Sequence, residues 1–185
     1  LRVLTSLVTF LSMLINYFEL FGLKSTFSID LAVLESNYRK IQSESHPDRF
    51  VTASAAEKLQ SMQTSILANE AYKALKNPAN RAKYLLELQG INAIAETNTA
   101  LPQEFLMQQM GWREAINDAT QAKNISVLEN LLSEMQAEAK TLQVDIADLL
   151  DTKKDYSSAT EATRKLIFID KVCADINKAI EDLDT

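Results

Sequence analysis

Apolar residues recur along this chain mainly at intervals of three and four, the spacing that lines one face of an α-helix, not in the alternation of a half-buried strand. Tyr17, Phe18, Leu20 and Phe21 form a short apolar helix, with Gly22 just past its end. Leu31, Leu34, Tyr38 and Ile41 predict a second helix with one buried stripe, capped by Ser28 or Asp30. Ala55, Leu59, Met62 and Ile66 open a third and longer helix, which continues through Ala71 and Leu75 until Asn77-Pro78 stops it. Asn77 can cap a further helix with Pro78 at its first position, where proline costs least, and Gly90 ends it.

Between the two longer patterns stands His46-Pro47-Asp48, followed by Arg49-Phe50, and it holds the only histidine in the chain. Proline pushes the preceding residue out of the α region and has no N–H to donate, so the helix arriving through Ile41 must stop near Ser45. Two long helices joined by the short loop 46–54 run antiparallel, and the hairpin carries the tripeptide at one tip.

Residues 91–100 have no sustained period and lead into Leu101-Pro102, which places a linker at 91–101. Beyond it, Leu128, Leu132, Met135, Ala139, Leu142, Ile146 and Leu149 alternate steps of four and three, the a/d pattern of a coiled-coil-like seam. Ala162, Leu166, Ile169, Cys173, Ile176, Ile180 and Leu183 repeat it on a last helix, for which Ser158 and Glu161 offer a capping box. A short polar turn joins the two as an antiparallel pair. On the helix from Pro102 to about Gln121, Phe105, Trp112, Ile116 and Ala119 fall in one sector and complete a three-helix bundle. Leu106, Met107 and Met110 lie roughly 100–200° round that helix from Phe105, and Phe168 sits one position off its seam. Two accounts fit these outliers equally: an exposed apolar patch for a protein partner, or side chains that pack against the first domain or broaden the core.

Three glycines and three prolines in 185 residues, with 46% hydrophobic residues, suit an all-α chain with few turns. Residues 1–15 are apolar but too few to span a bilayer, so they read as an extension and not as an anchor, with an added packed helix or a targeting stretch as alternatives. The net charge is −6, and residues 101–185 carry 16 acidic against 9 basic residues. That balance argues against nucleic acid as a partner. A lone cysteine, Cys173, cannot close an internal disulfide and points to a reducing, cytoplasmic setting. Its place in the seam makes it a small core residue and not a nucleophile.

The tripeptide with its flanking helices resembles the signature of J-domains, the co-chaperone modules that stimulate ATP hydrolysis by DnaK-type chaperones. From Asn16 onward the whole chain is similar to HscB-type co-chaperones of iron–sulfur cluster assembly. Tyr17-Phe18-Glu19-Leu20-Phe21-Gly22 matches the opening of the J-domain, and Asn77-Pro78 with Arg81-Ala82-Lys83-Tyr84-Leu85-Leu86 its close. Phe105-Leu106-Met107 and Arg164-Lys165-Leu166 match the bundle. The resemblance implies a J-domain over 16–90, an antiparallel hairpin with short flanking helices, and a three-helix bundle over 102–185. It further implies that His46, Pro47, Asp48, Arg39, Lys40 and Arg49 engage an HscA- or DnaK-type chaperone. It assigns Leu106, Met107, Met110, Arg113, Glu114 and Phe168 to an IscU-type scaffold carrying the cluster, which favours the exposed-patch account.

Two departures stand out: Arg49 follows the tripeptide where J-domains often have lysine, and Gly111 stands where the family tends to place an acidic residue. No cysteine pairs precede the J-domain, so no metal and no cofactor are expected. An enzyme using His46 and Asp48 as an acid–base pair is disfavoured, because the two flank a rigid proline and no Ser or Cys nucleophile shares an identifiable pocket with them. The remaining alternative is a general J-protein or helical adaptor for other clients.

Overall fold

The computed structural model describes residues 16–94 and 102–184, so the expectations for residues 1–15 and for most of the linker lie outside it. Every regular element among the described residues is helical, and the chain divides into two compact units, Leu1–Leu85 and Leu86–Thr185.

In the first unit, α1 (Tyr17–Leu20) is capped by Asn16, whose Oδ1 accepts the Phe18 N–H at 2.9 Å. Gly22 leaves the helix at φ +61°, a region closed to most side chains. Of the two caps that the sequence offers α2 (Leu31–Glu44), Asp30 is the one used: its Oδ1 accepts the N–H groups of Ala32 and Val33. A 3₁₀ turn (Pro47–Phe50) follows, and then α3 (Ala55–Lys76), closed by a reciprocal capping box between Ser54 and Glu57. Asn77 caps α4 (Pro78–Glu87) by accepting the Asn80 N–H at 2.9 Å.

Buried Arg81 ties these pieces together. Its Nε donates to the Phe27 carbonyl at 2.8 Å, its Nη1 to the Leu75 carbonyl at 2.6 Å, and its guanidinium lies 4.9 Å from the Phe27 ring centroid. Tyr84 stacks on Tyr17 at 4.4 Å and accepts the Tyr17 N–H at its hydroxyl.

The packing inside the hairpin corrects the expected stripes. Leu34, Leu67, Ala68, Ala71 and Leu75 are buried, but Leu31, Leu59 and Met62 are about half exposed. Towards the tip the helices are joined by polar groups instead. The Tyr38 hydroxyl donates to Asn69 Oδ1 at 2.6 Å, and Gln42 Nε2 donates to the same oxygen and to the Ser65 carbonyl. Ser65 Oγ returns a bond to Gln42 Oε1, and Tyr38 stacks on Tyr72 at 4.1 Å. The cause is geometric: Ser61 and Ser65, four apart, face α2, which turns Met62 and Leu59 roughly 100° and 200° away from that line.

The second unit contains α5 (Gln103–Gln121), α6 (Ile125–Ala147) and α7 (Tyr156–Leu183). The seams pack as their spacing predicts, with Leu128, Met135 and Ile146 of α6 buried alongside Leu166, Ile169 and Ile176 of α7. Phe105 and Ala119 of α5 are buried too. Two expectations are corrected. The connection after α6 is not a plain polar turn but a π-helical segment, Asp148–Lys153, which buries Leu150 before Lys154 reverses the chain at φ +56°. The cap of α7 is Asp155 and not Ser158: the Asp155 carboxylate accepts the Ser158 N–H at 3.1 Å and its Oγ–H at 2.7 Å. Ser158 therefore lies within the first turn, and Glu161 pairs with Lys165 at 2.9 Å. Within the expected linker, Ala93 is buried and its carbonyl accepts Arg164 Nε at 2.6 Å.

Candidate functional site

The hairpin tip is organised by His46, which caps the 3₁₀ turn. Its Nδ1 accepts the Asp48 N–H at 3.3 Å and lies 3.6 Å from the Asp48 carboxylate. Pro47 occupies the first position of the turn, where the missing N–H costs nothing. The side chains of His46 and Asp48 are 59% and 87% exposed, so both are offered to solvent.

Beneath them the support is polar and closed. Ser45 Oγ donates to the Ile41 carbonyl at 2.8 Å, and Ser61 Oγ, buried on α3, donates to the Ser45 carbonyl at 2.7 Å. Arg49 leans back so that its Nη1 meets the Ser43 carbonyl at 3.4 Å. Of the two cations expected on α2, Arg39 is paired with Glu35 one turn earlier, and Lys40 is exposed. The turn thus gathers His46, Pro47, Asp48 and Arg49, while Arg39 and Lys40 stand further back on the helix.

On α5, Leu106, Met107 and Met110 are 46%, 66% and 72% exposed, so they do not broaden the bundle core. Arg113 and Glu114 are exposed beside them. Phe168 is the exception to a simple surface patch: it is half-buried and packs on the bundle core. It meets Phe105 edge-on at 5.7 Å and Trp112 face-on at 6.2 Å, while Phe105 and Trp112 meet edge-on at 5.9 Å. The Arg113 guanidinium lies 5.9 Å from the Phe168 ring centroid, and the Lys165 ammonium 5.8 Å from that of Phe105. Burial pushes the Glu138 carboxyl up, and the charge of Lys165 opposes that shift.

Sequence reasoning placed Phe105 and Trp112 in the core but missed their part in holding Phe168, because ring pairing across helices leaves no periodic trace. It also missed the supports Ser61, Ser65 and Asn69, whose residue types read as solvent-facing. A Cβ built at Gly111 meets nothing within 4 Å, so the missing side chain there is not forced by packing. Cys173 is half-buried, and burial pushes its thiol up, as suits a core position. Among the described residues no group of His, Cys, Asp or Glu could hold a metal ion, and no helix is long and apolar enough to cross a membrane.

A helical hairpin with His-Pro-Asp at its tip, joined in one chain to a three-helix bundle, defines a J-domain co-chaperone. Residues 101–177 match the family described as the HSCB C-terminal oligomerisation domain. A co-chaperone protein HscB homolog of Paraburkholderia phymatum is 46% identical over 169 residues, covering 91% of this chain and 96% of that one. The structure is similar to chaperone HscB from Vibrio cholerae, with a TM-score of 0.79, 34% identity, and coverage of 91% of this chain and 99% of that one. It is also similar to the crystal structure of human co-chaperone protein HscB, with a TM-score of 0.81, 28% identity, and coverage of 88% and 81%. The chain belongs to the HscB co-chaperone family.

Proposed function

We propose that this chain acts in the cytoplasm as a co-chaperone of iron–sulfur cluster assembly. Its hairpin tip stimulates ATP hydrolysis by an HscA- or DnaK-type chaperone, and its bundle recruits an IscU-type scaffold for cluster transfer. The observation that carries the reading is the Asp48 carboxylate, 87% exposed on a turn braced from below by buried hydrogen bonds. Such a group can accept a charge-assisted pair from an arginine on the chaperone, while Pro47 and His46 fix its direction. If that contact is made better to the hydrolysing conformation than to the resting one, it shifts the chaperone toward hydrolysis with no catalytic group on this chain. The exposed Leu106, Met107 and Met110 supply the second contact. Carrying both on one polypeptide raises the scaffold's effective concentration at the chaperone.

The test is steady-state ATP turnover by an HscA-type chaperone, with and without an IscU-type scaffold, for the natural chain and for Asp48→Asn. Stimulation that the scaffold enhances and the substitution removes is the expected result. Stimulation indifferent to the scaffold would leave a general J-protein. A folded chain that stimulates under neither condition would sink the reading.

A further inference from the structure

Between α5 and α7 runs a cleft of about 420 Å³, within the ~300–1,000 Å³ range of ligand-scale clefts. It is the direct continuation of the apolar patch. On the α5 wheel Leu106, Met110, Arg113 and Asn117 form one row at intervals of four, three and four, so the row that begins in the patch ends on the rim of the cleft. Phe168 belongs to both, lying under Arg113 at the head of the cleft.

The lining has two characters. Ile116 and buried Val172 give an apolar floor, and Arg113 and exposed Lys171 put a cation on either helix at the rim. Asp175 is the one carboxylate on the lining, a turn beyond Lys171. Two cations to one carboxylate reverses the local sign in a region where residues 101–185 carry 16 acidic against 9 basic residues. Among the described residues neither Arg113 nor Lys171 is held in an ion pair. An acidic surface with a cationic notch selects against general anions at long range and for one anion that enters the notch.

We propose that the partner's footprint continues past the patch into this cleft, which takes an acidic residue adjoining an apolar side chain of the scaffold. The apolar group rests on Ile116 and Val172, and the carboxylate lies between Arg113 and Lys171. Lys171 is then a specificity determinant outside the apolar patch. The inference rests on the proposed scaffold recruitment and deepens it.

The experiment measures association and dissociation rates of an IscU-type scaffold for the full chain and for three variants, each from low to high salt. The variants are Lys171→Glu, Lys178→Glu and the double substitution Leu106→Ala with Met110→Ala. Lys178 is an exposed cation on the same helix outside the cleft, so it carries the same charge change without the contact. Lys171→Glu is expected to weaken binding by about five- to tenfold, mainly in the association rate, and to flatten the salt dependence. Lys178→Glu should change little.

Equal weakening by both lysine variants would reduce the effect to net charge and overturn the inference. So would an unchanged Lys171→Glu affinity while the double variant loses binding, or a loss traced to dimerisation of this chain through the cleft. If the double variant binds like the natural chain, scaffold recruitment by the patch is itself wrong and the inference falls with it.

Discussion

At the hairpin tip, exposed polar groups rest on a polar support: Asp48 and His46 stand above Ser45, Ser61, Gln42, Ser65 and Asn69, bonded to one another across the two helices. On α5, exposed apolar groups rest on an aromatic support, with Leu106, Met107 and Met110 beside a Phe105, Trp112 and Phe168 cluster. The difference matches what the proposed function asks of each surface. A directional contact to an arginine needs fixed angles, which hydrogen bonds impose. A desolvating contact needs area and adaptability, which methionines on a firm base provide.

The sharpest way to separate the two regions is to damage one and read both. Asp48→Asn should abolish stimulation of chaperone ATP turnover while leaving scaffold affinity unchanged in a binding titration, because the carboxylate is exposed and its contact is with His46 in the same turn. A parallel loss of scaffold affinity would break the division of labour.

The next largest effect concerns the frame behind the tip. Arg81→Met removes the donors to the Phe27 and Leu75 carbonyls and should destabilise the first unit by about 3 kcal/mol, read as a fall in its denaturation midpoint. The second unit should unfold as before. Leu106→Ala with Met110→Ala should weaken scaffold binding by about thirtyfold, with helicity by circular dichroism intact since both side chains are exposed. Loss of helicity instead would return these residues to the core.

Gly111→Ala should stabilise α5 by about 1 kcal/mol, because the site is helical and open. A raised melting temperature with unchanged scaffold affinity would mark Gly111 as neutral to the patch.

The smallest effect is in acid. Hydrogen bonds from Ser158 hold the Asp155 carboxyl below the usual aspartate range. The cap's contribution is therefore present above the unfolded-state pKa and is lost as pH falls through the lower folded-state value. Asp155→Asn keeps a capping oxygen that does not titrate, so the acid limb of the unfolding curve of the second unit should flatten slightly.

Helix order, the stop at Ser45, the cap at Asn77 and both bundle seams were legible, because each rests on a local rule: spacing, proline, or a short side chain that accepts from the next turn. Where two residues met the same local rule, only the fold could choose. Asp155 and Ser158 are both competent caps, and the reversal at Lys154 leaves Asp155 at the boundary. The hairpin stripe failed for a different reason. Leu59 and Met62 have helical spacing and apolar character, but Ser61 and Ser65 face α2 through hydrogen bonds to residues 16 and 23 positions away. Pairing of that kind is invisible to a pattern read along one helix. At the candidate sites the motif residues were legible as such, while the supports beneath Asp48 and Phe168 were not.

The chain has one tryptophan, Trp112, and it lies against Phe168 beneath the patch. An indole in that position emits according to how much water reaches it, so a ligand seated on Met110 and Phe168 changes both its wavelength and its quenching by iodide. The molecule therefore carries its own optical gauge for one of its two surfaces: no dye is needed to follow the bundle, while the hairpin carries tyrosines but no tryptophan.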